Sequence, residues 1–219
     1  MMFKILVTCP PMLGMFEEFV EPAKNLGLEL IAAQTTQVLG ERKLIEQLPE
    51  YDGWIIGDDP ATEQVFAAGQ AGKLKAAVKW GIGVDNVDFS ACEKLGIPIA
   101  NTPNMFGGEV ADVAIAYMLG LARETYYIDR EIRNNNMWPK PAGMSVSGKH
   151  VGVVGFGDIG SSLVKRLSGF DVTITVYDPG VAGINGYAFI ERADFPDRLE
   201  KCDFLIFTCG LNINYVPIL

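Results

Sequence analysis

The sequence predicts an α/β protein built from two doubly wound parallel-sheet domains. Two observations support this fold class. Short apolar runs rich in β-branched residues alternate with helical patterns along the 219-residue chain, and this alternation is typical of parallel sheets covered by helices on both faces. Residues 149–178 also contain a strand, a glycine-rich turn, a helix, a second strand and an acid in that order, which is the pattern of a dinucleotide-binding unit.

The first half of the chain contains five predicted strands separated by helical patterns. The strands are predicted at residues 3–8, 28–32, 54–56, 76–80 and 97–100. Helices are predicted at residues 15–25 before Gly27, at residues 41–48, and from an N-cap at Thr62 to about residue 68. The Pro10-Pro11 pair is expected to end the first strand.

A glycine-rich loop, residues 81–88, follows the fourth predicted strand. Ligands of open α/β sheets bind at the carboxyl ends of strands, and the backbone N–H groups of such a loop can form a nest for a carboxylate. The same residues also fit a plain tight turn in which Asp88 or Ser90 caps the next helix. The local pattern favours neither interpretation.

A long helical pattern follows at residues 108–133. Its apolar stripe consists of Val110, Val113, Ala114, Tyr117, Met118 and Leu121. The first part is apolar nearly all round, which predicts burial between domains or at a subunit interface. We place the domain boundary just before this helix, so that residues 1–104 form one domain and residues 105–219 the other.

The second domain contains the pattern Gly155-Phe156-Gly157-Asp158-Ile159-Gly160, which fits G-x-G-x-x-G. Gly155 permits a tight turn after the strand, Gly157 lets a pyrophosphate approach the backbone, and Gly160 lets the helix pack closely against the strand. The free N–H groups and the dipole at the start of the helix favour phosphate binding.

Asp178 lies 18 residues beyond Gly160, at the end of the second strand. This is near the spacing of the acid that accepts hydrogen bonds from the adenosine ribose. A carboxylate there repels a 2′-phosphate, so the pattern favours NAD over NADP. The alternative is a glycine turn of some other α/β domain, with Asp178 merely starting the turn Asp178-Pro179-Gly180. Beyond it, we predict a strand at residues 187–190, a helix near residues 197–201 and an apolar strand at residues 204–208.

Composition narrows the classes of function. The formal net charge is −9, which argues against nonspecific binding to nucleic acid or to an anionic membrane. No apolar run approaches the roughly 20 residues of a membrane span. With a single His and four scattered cysteines, none in a C-x-x-C pair, a zinc site is not expected, and the thiols suit a cytoplasmic protein.

Several sequence blocks together resemble the D-isomer-specific 2-hydroxyacid dehydrogenases. In order, these are residues 81–88, Gly96-Ile97-Pro98, Asn101-Thr102-Pro103, residues 109–112, Ser147-Gly148-Lys149 and residues 155–160. The resemblance covers about residues 50–211, and the run at residues 79–83 is most similar to phosphoglycerate dehydrogenase-type members. It implies a flavodoxin-like first domain that binds substrate and a Rossmann NAD-binding domain, with NAD as cofactor. The long helix is expected to contribute to a homodimer, and the blocks argue against an unrelated Rossmann enzyme such as a methyltransferase.

The resemblance also implies an activity and site residues. Family members exchange hydride between NAD(H) and a 2-hydroxy or 2-oxo acid, and 3-phosphoglycerate is one candidate substrate here. Carried over by motif, the backbone N–H groups of Ile82 and Gly83 bind the substrate carboxylate. Asp158 and Ile159 contact the pyrophosphate, and Asp178 the ribose. Cys209 and Gly210 line the adenosine pocket.

The chain departs from the family pattern in three places. Asp112 replaces the usual Glu, and Gly210 and Asn212 stand where Pro and Thr are common. The family's catalytic Arg, Glu and His would lie beyond Leu219, which leaves the dinucleotide domain incomplete and assigns no catalytic residue to this chain. We therefore expect little or no turnover from these 219 residues alone. The alternative is a catalytically dead NAD-binding sensor or partner-binding module.

The last predicted strand has a consequence for solubility. Residues 204–207, Phe-Leu-Ile-Phe, have the apolar composition of an inner strand, but here they are expected to form a sheet edge. An exposed apolar edge promotes pairing with other chains. We therefore expect low solubility unless a partner or self-association covers this edge, and the apolar end at residues 213–219 suggests a frameshift, a premature stop or a partial gene.

Overall fold

The computed structural model describes residues 2–181 and 190–210. The described chain divides into two compact units, one ending at Pro103 and the other spanning Asn104–Gly210. Each unit contains a parallel β-sheet with helices packed on it, so the α/β fold class predicted from the sequence is confirmed.

The first unit contains a five-stranded parallel sheet in the order β2-β1-β3-β4-β5. Its strands are β1 (Phe3–Val7), β2 (Leu28–Ala32), β3 (Gly53–Ile56), β4 (Ala76–Lys79) and β5 (Ile99–Asn101). This is the flavodoxin-like order, in which the carboxyl ends of the strands form the usual ligand-binding edge. All five strands lie where the apolar runs predicted them, shifted by two residues at most.

Five helices connect these strands. They are α1 (Pro10–Gly14), α2 (Phe16–Asn25), α3 (Glu41–Gln47), α4 (Glu63–Ala71) and α5 (Phe89–Leu95), with one 3-10 turn at Leu48–Glu50. The prediction that Pro10-Pro11 ends the first strand is confirmed, because β1 stops at Val7, and the two prolines also begin α1, a helix that the sequence did not predict. Proline is tolerated in the first helical turn, where its missing N–H has no partner to lose.

Helices cover both faces of this sheet. On one face, Leu6, Trp54 and Ile56 pack with buried residues of α3, α4 and α5. On the other face, Val7 and Ile55 pack with Met12 of α1 and with Phe16 and Phe19 at the start of α2. The sheet is therefore doubly wound.

The second unit contains a parallel sheet whose described strands have the order β8-β7-β6-β9. They are β6 (His150–Val154), β7 (Thr173–Tyr177), β8 (Ile190–Arg192) and β9 (Phe204–Phe207). The predicted strand at residues 187–190 meets β8 at Ile190, while residues 187–189 lie outside the described part of the chain. The helix predicted near residues 197–201 is only a 3-10 turn at Leu199–Lys201, because Arg198 has a left-handed backbone with φ +66°.

The long helix predicted at residues 108–133 is two helices, so that prediction was wrong. These are α6 (Gly107–Ala122) and α7 (Thr125–Asn135). The chain turns at Glu124, which has φ +56°, and Tyr126 folds back so that its hydroxyl donates to the Ala116 carbonyl at 3.3 Å. Gly120 makes this possible, because a Cβ there would overlap the Tyr126 ring.

One face of the second sheet is covered by α6 and by α8 (Asp158–Leu167). Buried residues of these helices, among them Ala111, Met118, Leu163 and Leu167, pack on Val151, Val153, Ile174 and Val176 of the strands. The predicted stripe of α6 is therefore divided between two faces. Met118 faces this core, whereas Val110, Val113, Tyr117 and Leu121 remain between 42% and 68% exposed.

Candidate functional site

The glycine turn of the second unit connects β6 to α8. Gly155 has φ +95°, and its N–H donates to the Tyr177 carbonyl of β7 at 2.9 Å. A Cβ at Gly155 would lie 2.7 Å from the backbone nitrogen of Cys209. Only glycine fits this position, both because of its left-handed backbone and because the segment after β9 packs directly against it.

Gly160 brings α8 close to the same turn. A Cβ there would overlap the carbonyl oxygen of Gly155 and would lie 2.9 Å from Thr208 Oγ1. The Thr208 hydroxyl donates to the Gly155 carbonyl at 2.8 Å. Sequence reasoning missed Thr208, although a hydroxyl residue directly after an apolar strand, at the carboxyl edge, is a usable signal for a residue that holds a neighbouring loop.

The start of α8 offers unpaired donors. Gly157 is the N-cap, and no side chain caps the helix. Within residues 2–181 and 190–210, no acceptor binds the N–H groups of Asp158 and Ile159. A Cβ at Gly157 would meet nothing within 4 Å, so there is open space in front of these donors. Free N–H groups at a helix start, together with the helix dipole, form a phosphate-binding site.

The side chain of Asp158 points towards α6 and not along the helix start. A Cβ at Gly107, the first residue of α6, would overlap the Asp158 carboxylate. The contribution that Asp158 can make to a bound phosphate is therefore its backbone N–H. Its carboxylate is instead packed against the beginning of a neighbouring helix, where a negative charge is favourable.

Asp178 is held rigidly at the carboxyl end of β7. Its Oδ2 accepts from the N–H of Phe156 at 2.7 Å, and its Oδ1 accepts from the N–H of Gly180, also at 2.7 Å. The second bond is the turn expected under the alternative interpretation, and the first links the acid to the glycine turn. Each carboxylate oxygen keeps a lone pair, so the oriented group can still accept from ribose hydroxyls.

The remaining predicted residues of this unit occupy different environments. Cys209 packs by its backbone against Gly155, and Gly210 is exposed next to it. The chain's single His, His150, lies in β6, where its Nε2 is 2.7 Å from Thr175 Oγ1. Its partner Thr175 is fully buried, so the imidazole is tied to the interior of the sheet.

The glycine loop of the first unit is fixed at its start. Gly81 has φ +140°; its N–H donates to Thr102 Oγ1 at 2.8 Å, and its carbonyl accepts from the Thr102 N–H at 3.2 Å. Among the described residues, no acceptor binds the N–H groups of Ile82 and Gly83. The loop can therefore offer two donors to an anion.

The turn interpretation of this loop also has structural support. Asp88 accepts from the Ala91 N–H at 2.9 Å and thereby caps α5. Of the two residues proposed as caps, it is therefore Asp88, and not Ser90, that the structure places at the N-cap. Capping at the end of the loop and anion binding at its start use different residues, so the two interpretations are compatible.

The segment after β3 is tied to the same loop. The Asn86 side-chain amide donates to the carbonyls of Gly57 and Asp59 at 3.0 and 2.7 Å. The ammonium of Lys79, a residue only 3% exposed, contacts the Gly57 carbonyl and lies 3.1 Å from Asp58 Oδ1. Sequence reasoning missed these contacts, although a charged residue at the end of an apolar strand is an available signal.

The buried carboxylate of Asp59 holds the turn after β3 by hydrogen bonds. The residue is fully buried, and its carboxylate accepts from the backbone N–H groups of Leu39 at 2.7 Å and Gly57 at 3.0 Å and also contacts the Thr8 hydroxyl. A buried carboxylate is tolerated only when it is fully hydrogen-bonded. Asp59 is therefore a structural residue that connects β1, the segment before α3 and the turn after β3.

The cysteines of the first unit are not activated. Burial raises the pKa of the Cys9 thiol, and burial together with nearby Asp88 raises the pKa of Cys92 to about 11. Thiols with raised pKa values are poor nucleophiles. Over the described residues, no group of three His, Cys, Asp or Glu side chains could hold a metal ion, and no helix is long and apolar enough to cross a membrane.

Comparison with known proteins identifies the second unit. Residues 115–214 match the family model described as D-isomer specific 2-hydroxyacid dehydrogenase, NAD binding domain. The chain belongs to the D-isomer-specific 2-hydroxyacid dehydrogenase family. The match contains the Gly155–Gly160 turn and Asp178, so NAD is the cofactor of the domain to which these residues belong.

Curated relatives of the dehydrogenase family share about a third of the aligned residues. A hydroxypyruvate reductase of Thermotoga maritima is 34% identical over 174 residues, which cover 78% of this chain and 55% of that protein. A D-3-phosphoglycerate dehydrogenase of Archaeoglobus fulgidus is 30% identical over 206 residues, covering 92% of this chain and 37% of that protein. A glyoxylate/hydroxypyruvate reductase of Arabidopsis thaliana is 33% identical over 161 residues, 72% of this chain and 48% of that protein. The chain thus spans only about a third to about half of these relatives' length.

Solved structures share the fold at lower identity. The NAD⁺-bound 3-phosphoglycerate dehydrogenase of Entamoeba histolytica has a TM-score of 0.77 at 23% identity, covering 97% of this chain and 64% of that one. The TT0316 protein of Thermus thermophilus has a TM-score of 0.78 at 21% identity, covering 96% of this chain and 66% of that one. At this identity the likeness shows the fold alone.

Proposed function

We propose that this chain is part of an NAD-dependent oxidoreductase that exchanges hydride between NAD(H) and a 2-hydroxy or 2-oxo acid, and that its 219 residues supply the cofactor and substrate binding. The observation that carries the proposal is the arrangement of Asp178 and the glycine turn. The acid is fixed by the Phe156 N–H at 2.7 Å, within the loop whose following helix start has unpaired donors. A preformed acid beside a preformed phosphate site suits a dinucleotide without a 2′-phosphate.

The pyrophosphate and the adenosine half of NAD each have groups to hold them. Under this proposal, the N–H groups of Asp158 and Ile159 bind the pyrophosphate, Asp178 accepts from the ribose hydroxyls, and Cys209 and Gly210 line the adenosine side. Bound NAD(H) supplies the hydride-accepting or hydride-donating ring. The protein binds and orients the cofactor, and the open space at Gly157 lets the phosphates reach the backbone.

The substrate half of the proposal rests on the first unit. The unpaired N–H groups of Ile82 and Gly83 bind the carboxylate of the 2-hydroxy acid, and the paired hydrogen bonds between Gly81 and Thr102 hold the loop in place. A carboxylate is a strong acceptor of backbone N–H bonds. Residues 1–104 accordingly act as the substrate domain and residues 105–219 as the NAD-binding domain.

Replacing Asp178 tests the cofactor site. We expect Asp178→Asn to weaken NADH binding about tenfold or more, because a hydrogen bond to a charged group is worth roughly 1.5–3 kcal/mol. Isothermal titration of the wild-type chain and the variant with NADH measures this. The control, Asp171→Asn, removes the same charge at an exposed position outside the site and should bind NADH normally. Equal affinity of D178N and wild type would contradict the assigned role.

The 219-residue polypeptide alone is expected to be inactive in turnover. A positioned acid–base group is worth roughly 10²–10⁴ in rate, and the chain's only imidazole is held by Thr175 in the sheet. Incubation with NADH and glyoxylate or hydroxypyruvate, followed by NADH absorbance, should show no consumption above the rate without protein. Measurable consumption would show that other groups of this chain perform the proton transfer.

A second candidate function, a catalytically dead NAD-binding sensor or partner-binding module, is favoured by the same use of His150. The two candidates differ at the loop of the first unit. A sensor has no need for an acid to bind at Ile82 and Gly83, whereas a dehydrogenase does. Saturable binding of hydroxypyruvate to the NADH-loaded chain therefore supports the dehydrogenase over the sensor.

We further propose that the protein is a cytoplasmic homodimer. The exposed stripe of α6, formed by Val110, Val113, Tyr117 and Leu121, supports the dimer, because contiguous exposed apolar surface usually marks an interface. A second copy of the chain presents the same stripe, which permits a two-fold symmetric contact. The free state of all four cysteines supports a reducing compartment.

A further inference from the structure

The pocket beside the glycine loop of the first unit contains more negative than positive groups. It has a volume of about 290 Å³ and is lined by residues that include Asp58, Lys79, Gly83 and Asp85. Two carboxylates against one ammonium leave one net negative charge in this lining. A pocket that accepts an acid is expected to contain at least as many cations as anions, so the balance calls for an explanation.

The ammonium of Lys79 is not available to a ligand. Its side chain is 4% exposed, and it is held by the Gly57 carbonyl and by Asp58 Oδ1 at 3.1 Å. The Asp58 side chain, in contrast, is 79% exposed. The Lys79–Asp58 pair therefore has its ammonium behind the surface and its carboxylate on the exposed side of the pocket, and Asp85 is the carboxylate of the described lining that no cation pairs.

The second carboxylate lies directly against the proposed binding loop. Asp85 Oδ1 is 3.6 Å from the position that a Cβ of Gly83 would occupy, and Asp85 is exposed. An acid held by the Ile82 and Gly83 N–H groups already places one negative charge beside Asp85. A further negative group on the same ligand would face Asp58 and Asp85 without a free cation in the described lining to balance it.

We propose that Asp58 and Asp85 determine specificity by selecting against substrates with a second anionic group. The inference rests on the proposed function and narrows its substrate class to short 2-hydroxy or 2-oxo acids without a phosphate. Although some relatives are named D-3-phosphoglycerate dehydrogenase, their substrate carries the phosphate that this lining repels. The reductases of hydroxypyruvate and glyoxylate act on acids of the kind this pocket favours.

D-glycerate and D-3-phosphoglycerate form a matched pair of probes, because they differ only in the phosphate. Ligand-detected NMR titrations of the full chain give both dissociation constants. We expect D-glycerate to bind at least tenfold more tightly than D-3-phosphoglycerate. In Asp58→Asn and Asp85→Asn, the ratio of the two constants should shift towards the phosphorylated acid by about three- to tenfold per charge removed.

Two controls separate charge in the pocket from other effects. Glu29→Gln removes one exposed carboxylate on β2, away from the pocket, and should leave the ratio unchanged. Asp58→Asn keeps a side-chain oxygen that can accept from Lys79. Thermal unfolding of each variant checks that the fold is retained.

The outcomes are distinct. Binding of D-3-phosphoglycerate as tight as or tighter than that of D-glycerate, or a ratio unchanged in both Asp variants, overturns the selectivity inference while leaving the proposed function intact. Binding of neither acid, with NADH still bound, overturns the substrate half of the proposed function together with the inference.

Discussion

Gly157 and Gly160 lie three residues apart, yet the structure gives them opposite reasons to be glycine. A Cβ at Gly157 would point into open space, whereas a Cβ at Gly160 would overlap the Gly155 carbonyl. The first glycine therefore leaves room for a ligand, and the second leaves room for the protein's own backbone. Alanine at each position should separate binding from folding.

We expect Gly157→Ala to keep the free energy of unfolding within about 0.5 kcal/mol of wild type, as for substitutions that disturb no packing. It should weaken NADH binding at least tenfold, because the new methyl group occupies the path of the pyrophosphate. Gly160→Ala should lower the free energy of unfolding by about 1–3 kcal/mol, the usual cost of overpacking. Urea unfolding measures the stability of each variant, and NADH titration measures its affinity for the cofactor. Normal NADH binding by G157A would refute the claim that the pyrophosphate approaches the backbone at Gly157.

At this scale the sequence predicted residues with local signatures and missed those defined by tertiary contacts. The G-x-G-x-x-G spacing located Gly155, Gly157 and Gly160, because a turn and a helix start are local structures. The hydroxyl of Thr208 and the amide of Asn86 act on carbonyls 53 and 29 residues away along the chain. Such contacts depend on which strands become neighbours, which the local pattern does not specify.

At the scale of elements, α6 combines a buried face with an exposed apolar one. Ala111 and Met118 are at most 2% exposed, whereas Tyr117 and Leu121 are 60% and 68% exposed. The sequence pattern predicted an apolar helix here. It assigned the residues of both faces to a single stripe, and it predicted one continuous helix where the structure has α6 and α7. Residues 122–125, Ala-Arg-Glu-Thr, contain no Gly or Pro to mark the end of a helix, so the sequence contains no local sign of the left-handed backbone at Glu124.

The exposed face of α6 yields a prediction about self-association. Val113→Lys together with Leu121→Lys places two charges on the stripe, and burying them in a symmetric contact costs several kcal/mol. Sedimentation velocity should show a dimer for the wild-type chain and a monomer for the double variant. Val38→Lys, at an exposed apolar residue of the first unit, is the matched control and should stay dimeric. A monomeric wild type, or a dimeric double variant, contradicts this interface.

The other exposed apolar element is β9. Among the described strands it ends the second sheet, and Leu205 and Phe207 are 37% and 41% exposed. An edge strand can pair with another chain, and the expectation that β9 promotes self-association or low solubility stays a prediction, because its position at the edge is established only among the described strands. The residues beyond Gly210, including the apolar stretch at positions 213–219, lie outside the described part of the chain.

At the scale of the whole molecule, two parallel sheets provide two sites of different character. The first offers unpaired N–H groups at Ile82 and Gly83 between carboxylates, and the second offers a helix start beside a fixed carboxylate. The fold class was predictable, because strands that alternate with helices indicate parallel sheets, whereas the flavodoxin-like character of the first domain came only from the family resemblance. The charge balance of the pocket was not predictable, because it depends on side chains from two separate segments, the turn after β3 and the stretch from the end of β4 into the glycine loop.

The central claim is that this chain contains a preformed site for NAD without a 2′-phosphate. Paired isothermal titrations of the wild-type chain with NADH and with NADPH test it most directly. We expect saturable binding of one NADH per chain and at least tenfold weaker binding of NADPH, because Asp178 repels the 2′-phosphate. Absence of NADH binding, or equal affinity for the two cofactors, would contradict it.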